Sequence, residues 1–148
     1  MEFYCRVTAT GLVPLDEFDA EQKSKLRLDS DVKVKVSYPR NLEFHRKLMA
    51  LCRITADNLP HAIAEERHIY NTETMLAAIK IDLGMFDVVD VAGRSIVRLH
   101  SISFAKMDES EFERFYDRAV TDILENYLIG ADREELKEEV KQFISQRT

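Results

Sequence analysis

Residues 108–128 read DESEFERFYDRAVTDILENYL, and the fold class follows from them. Asp108 stands three positions before Glu111, the spacing of a capping box, in which an N-cap carboxylate and a third-position carboxylate satisfy the first free N–H groups of a helix. Phe112, Phe115, Tyr116, Ala119, Val120, Ile123, Leu124, Tyr127 and Leu128 then recur at helical spacing. The aromatic residues fall on that same stripe, which marks them as core rather than as a stacking platform for bases. Gly130 suits a left-handed helix stop, and Asp132 with Glu135 repeats the capping signal for a last helix built on Leu136, Val140, Phe143 and Ile144.

Upstream of this helix, Met85 to Val91 and Ser95 to Phe104 read as strands. The link Ala92, Gly93 and Arg94 is suited to a tight β-turn, so the pair forms a hairpin. A helix from Thr72 to Leu83 carries Met75, Leu76 and Ile79 inward and stops at Gly84, while His61 to Tyr70 has little periodicity. Arg40 or Asn41 to Asn58, bounded by Pro39 and Pro60, is a further helix. Phe44, His45, Leu48, Cys52, Thr55 and Ala56 share its inward face, and Glu43, Arg46, Ala50, Arg53 and Asp57 share the outward one. At the N-terminus Phe3, Cys5 and Val7 alternate with polar residues as in a strand until Gly11 and Pro14 interrupt the pattern. Asp16 or Asp19 then caps a short helix toward Leu26. Val32, Val34 and Val36 alternate with Lys33, Lys35 and Ser37, which predicts another strand.

The expectation is therefore one α+β domain over residues 1–148, a small antiparallel or mixed sheet of about four strands packed against three to five helices. A chain of 148 residues with 45% hydrophobic content is ample for one core. Its net charge of -6 requires any affinity for nucleic acid to come from a local patch. Cys5 and Cys52 lack partners at zinc-site spacing and read as reduced, packed thiols. Nothing at the N-terminus forms a signal peptide or a membrane span, which predicts a cytoplasmic protein with no membrane partner. With four glycines in all, there is neither a phosphate-binding loop nor a dinucleotide fingerprint, and no cofactor is expected.

Two stretches carry a resemblance. Arg40-Asn41-Leu42-Glu43-Phe44-His45-Arg46-Lys47 and Ser101-Ile102-Ser103-Phe104-Ala105-Lys106-Met107-Asp108-Glu109-Ser110-Glu111-Phe112 resemble the signatures of a phage and prophage family classed as a domain of unknown function. Leu12-Val13-Pro14 before an acidic helix, and Tyr116 after the second stretch, extend the similarity over most of the chain outside its middle. The segment from His61 to Leu83 looks like a shortened version of the family's linker. The layout is also remotely similar to the Orf-type recombination mediators of lambdoid phages. That implies an accessory role in DNA recombination or replication in a bacterial host, with nonspecific binding of single-stranded DNA.

The residues themselves put the candidate nucleic-acid site at Arg40, Asn41, His45, Arg46, Lys47 and Arg53, with Lys33 and Lys35 as possible additions. These concentrate cations and hydrogen-bond donors at a strand-to-helix junction, where free backbone N–H groups favour a phosphate. In the competing reading Asn41 is an N-cap, His45 a core histidine, and the arginines a solvated face paired with Glu43 and Asp57. The acidic balance fits a second function better, a protein-binding adaptor or inhibitor of a host or phage factor. The C-terminal helix and a two-stranded ribbon are both elements through which homodimers form. An enzyme would need His45 as acid or base, and no tuning partner is apparent. His61, Glu65 and His68 have the residue types of a two-histidine, one-carboxylate metal site, but an exposed mixed-charge surface explains them and no metal is expected. His100 and Ser101 fall on opposite faces of a strand, so they form no nucleophile pair, and Ser103 has no elbow glycine pattern.

Overall fold

The computed structural model describes residues 1–37, 41–102 and 106–146, and the chain gathers into two compact units, Met1–Tyr38 and Pro39–Gln146.

In the smaller unit β1 (Cys5–Thr8) and β2 (Gly11–Pro14) form an antiparallel hairpin, Cys5 opposite Pro14 and Thr8 opposite Gly11. Gly11 and Pro14, which interrupt the alternation in the sequence, bound the second strand instead of ending the sheet. Pro14 is tolerated because it closes an edge strand, where its missing N–H breaks no ladder. Helix α1 (Glu17–Ser24) starts at Asp16, whose carboxylate accepts the Asp19 N–H at 3.0 Å. The buried Asp19 carboxylate in turn accepts the Tyr4 N–H at 2.9 Å and so ties the helix to the strand. Val32 to Val36 does not form the expected strand. It pairs with no described strand of this unit, and alternation without a ladder of hydrogen bonds makes no sheet. Val32, Val34 and Val36 are accordingly exposed.

The larger unit is built around α2 (Leu42–Asn58), which packs chiefly against α4 (Thr72–Asp82) and α6 (Arg133–Gln146) and also touches α5 (Glu109–Asn126). Leu59 is extended because the ring of Pro60 disfavours helical geometry in the preceding residue, and this ends α2. The helix is enclosed on more than one side. Leu48, Met49, Ala50, Leu51 and Cys52 are buried in an unbroken run, and Arg46, Lys47 and Arg53 are half-buried. The expected outward face through Arg46, Ala50 and Arg53 is therefore not a solvent face. Phe44 stacks on Phe112 with ring centroids 4.3 Å apart, and Tyr116, Ala119, Val120, Ile123 and Tyr127 of the α5 region complete the core.

Local signals set the remaining elements. Asn71 with Thr74 and Asp108 with Glu111 form reciprocal capping boxes at the starts of α4 and α5, and Asp132 accepts the Glu135 N–H at 3.0 Å where α6 begins. Between α2 and α4 lies α3 (His61–Arg67), which weak periodicity concealed because none of its residues is buried. β3 (Phe86–Val91) and β4 (Arg94–Leu99) form the expected hairpin, with Ala92 and Gly93 both at positive φ (51° and 77°) as its two-residue turn requires. Four strands form among the described residues, but Gly11–Pro14 takes the place of the expected Val32 to Val36 strand, the strands make two separate two-stranded antiparallel sheets in place of one, and six helices exceed the expected three to five. Phe104, the expected end of the last strand, lies outside the described residues.

Cys5 and Cys52 are both free thiols. Burial pushes Cys52 up to about 12 and makes it inert. Leu48 has no solvent exposure at the centre of the packed helices. Leu48→Ala should lower the unfolding free energy by about 2–5 kcal/mol, read from the denaturation midpoint of the purified protein.

Candidate functional site

The entrance to α2 gathers the expected cationic residues only in part. Arg40 lies outside the described residues. Asn41 stands at the N-cap position in left-handed geometry (φ 56°). Instead of capping, its side chain donates to the Met107 carbonyl at 3.1 Å, so the corner before α5 does meet the start of α2. His45 is buried. Lys47 pairs with Glu113 at 3.0 Å and lies over the Tyr116 ring, 4.5 Å from its centroid. Arg53 pairs with Asp57 at 3.1 Å within the same helix. Arg46 is half-buried and makes no ion pair with any described residue. Lys33 and Lys35 are exposed in the smaller unit. Two cations of the expected strip are thus neutralised by carboxylates of their own fold, which lowers the positive potential that a phosphate would meet.

The other expected constellations also resolve. His61 reaches Glu65 at 3.1 Å on an exposed face, whereas His68 turns to the Tyr70 hydroxyl at 3.0 Å. Among the described residues no group of three or more His, Cys, Asp or Glu side chains is arranged to hold a metal ion. His100 pairs with Asp87 at 3.1 Å, Ser101 is exposed, and Ser103 lies outside the described residues. Lys106 is exposed beside the Asn41–Met107 contact.

A second constellation, absent from the sequence reading, joins three helices of the larger unit. Arg67 at the end of α3 reaches both oxygens of Asp82 at the end of α4, at 2.9 and 3.1 Å. Tyr127, just beyond α5, donates its hydroxyl to Asp82 and accepts from Arg67. Beside them on α5 is Asp122, 7% exposed, whose Oδ1 accepts from Asn126 at 2.8 Å while its buried Oδ2 accepts no hydrogen bond. Burial, and then the hydrogen bond it makes to Asp82, push the Asp122 carboxyl up to about 7. The proton is retained because two hydrogen-bonded carboxyls cannot both ionise without cost. Burial also raises the Tyr127 hydroxyl, which stays protonated as the donor to Asp82.

Arg67, Asp82 and Asp122 line a cleft of about 560 Å³ between α4 and α5, together with Asp117, Arg118 and Glu125. Asp117 is paired with Lys137 of α6 at 2.7 Å, and Arg118 reaches the Leu83 carbonyl at 3.4 Å. A carboxyl that titrates near neutrality, backed by a tyrosine and a guanidinium, can exchange a proton or hold a cation. One signal for it was present in the sequence. Asp122 sits seven residues after Phe115 and three after Ala119, so the apolar stripe of α5 carries it inward.

The chain matches no protein-family model, no curated protein and no solved structure. Among the described residues no helix is long and apolar enough to cross a membrane.

The raised carboxyl makes stability pH-dependent in a definite direction. The folded protein binds the Asp122 proton more tightly than the unfolded chain, whose carboxyl keeps its ordinary value of 3.8. The penalty for ionising it is absent below pH 3.8, grows as pH rises and is complete above about 7. Asp122→Asn should therefore gain on the parent by roughly 2–4 kcal/mol between acid and mildly alkaline conditions. Parallel denaturation curves across that range check it, and a difference that does not change with pH would contradict the shift.

Proposed function

We propose that the chain acts by binding another protein, as an adaptor or inhibitor, and that the β3–β4 hairpin is the element that engages it. The observation that carries this reading is the exposure of the hairpin. Val88, Val91, Ile96 and Val97 are each about half exposed or more, and among the described residues neither outer edge carries a further strand. A two-stranded ribbon is marginal alone and gains from an added strand or a covering surface, the mode by which extended peptides add to sheet edges. The net charge of -6 suits a partner with a basic rim better than a polyanion.

A second reading keeps the nucleic-acid role. Arg46 has no ion pair among the described residues, and Lys33 and Lys35 are exposed. The resemblance of residues 40–47 and 101–112 to a phage and prophage family supports an accessory of DNA recombination or replication in the bacterial cytoplasm. Affinity for single-stranded DNA would then come from counterion release.

Two pairs of variants separate these readings. Val88→Lys with Val97→Asp, directly opposite each other so that their charges pair across the ladder, should leave the fold intact and cost at least about tenfold in affinity for a captured partner. Arg46→Ala with Arg53→Ala should leave that affinity unchanged. A gel shift of an oligonucleotide that weakens steeply with salt and disappears in the arginine variants would reverse the order of the two readings.

A further inference from the structure

Two β elements of this chain lack a neighbour. In the larger unit β3 has β4 on one side and, among the described residues, no strand on the other. In the smaller unit residues 31–37 carry the alternation of a strand and pair with no described strand of that unit. Val32, Val34 and Val36 are each more than half exposed, and Lys33 and Lys35 are exposed and make no ion pair among the described residues. The two sides of the β3–β4 hairpin differ in charge. β3 carries Asp87 and Asp90, whereas β4 carries Arg94 and Arg98. Asp87 is already held by Arg98 and His100, but Asp90 accepts only the Ser95 hydroxyl, at 2.8 Å, and keeps its charge uncompensated.

We infer that residues 31–37 add as a third strand to the β3 edge of a second copy of this chain, each copy giving its segment and receiving the other's. This inference rests on the hairpin being the element that engages protein, and it names the partner. The exchange is reciprocal, so two segments and two edges are used up and the assembly closes as a twofold dimer. A second copy suits the edge because it carries the complementary strand, a lysine-bearing segment with β-branched residues at alternate positions.

Charge selects the edge. Against β4 the lysines would lie beside Arg94 and Arg98, and two segments paired antiparallel about Val34 would set Lys33 opposite the partner's Lys35. Both arrangements oppose like charges across a ladder. β1 and β2 offer no carboxylate, and Pro14 removes a donor from β2. On β3 an antiparallel register that sets Lys33 opposite the partner's Asp90 also sets Val34 opposite the partner's Val89 and Val32 opposite the partner's Val91. Within the hairpin Val89 faces Ile96 across the ladder, so Val34 would extend an apolar row of three. The added strand covers valines left in solvent on both elements and supplies partners for the free N–H and C=O groups of the β3 edge.

Analytical ultracentrifugation of the full chain with a charge swap tests the exchange. The parent should sediment as a dimer. Lys33→Glu with Lys35→Glu in one variant, and Asp90→Lys in another, set like charges at the contact and should each weaken dimerisation by about tenfold. All three positions are exposed, so both variants should keep the parent's circular dichroism. An equimolar mixture of the two variants restores opposite charges at both contacts, and the mixed dimer should regain the parent's affinity. The inference is overturned if the parent is monomeric at submillimolar concentration, if either variant dimerises as the parent does, or if the mixture associates no better than its components. A monomeric parent whose captured partner is still lost in the Val88→Lys with Val97→Asp variant would sink the exchange alone and leave the protein-binding reading standing.

Discussion

The larger unit depends on the enclosure of α2. Packing α4 and α6 against different sides of one helix buries Leu48 through Cys52 without interruption, and that run is the centre of the hydrophobic core. Enclosure also disposes of the helix's charges. A lysine drawn in among aromatic rings must find a carboxylate, and Lys47 finds Glu113 while its ammonium rests over Tyr116. The cations that look, in sequence, like a recognition strip thus partly serve to let a central helix carry polar residues at its margins.

The same constraint explains the cleft. The ends of α3 and α4 converge on the last turns of α5, where helix termini bring polar groups together and must satisfy them. Arg67, Asp82 and Tyr127 do so as a closed triad. Asp122 remains at its margin, buried by the apolar stripe to which it belongs and hydrogen-bonded to the Asp82 carboxyl, with Arg67 only partly offsetting the repulsion. Protonation is the resolution available to the isolated chain, and it leaves a group whose charge is sensitive to pH near neutrality.

Burial is unevenly distributed. The helices of the larger unit enclose a dense core, while the β3–β4 hairpin and the smaller unit's Val32, Val34 and Val36 leave apolar side chains in solvent. Single exposed valines are ordinary, but a ribbon with apolar residues on both faces and open edges gains stability from whatever covers it. Binding functions fit this distribution, since the chemistry on view lies in exposed strands and one charged cleft.

The starts of α1, α5 and α6, the stop of α4 and the β3–β4 turn were legible in the sequence because each is set by a few neighbouring residues. Asp108 with Glu111, Gly84 and the Ala92-Gly93 pair act through their own backbone geometry, whereas α5 already stops at Asn126, ahead of the expected stop at Gly130. The core positions of α5 were legible for a similar reason, since a strong period specifies one face. Other features required the tertiary structure. The burial of Ala50 depended on how many helices surround α2, and the failure of Val32 to Val36 to form a strand depended on the lack of a neighbouring strand. The meeting of Asp82 with Asp122, forty positions apart, depended on how α4 and α5 pack. Periodicity and capping are short-range properties of the chain, whereas the partner of a buried charge is chosen by packing between segments distant in sequence.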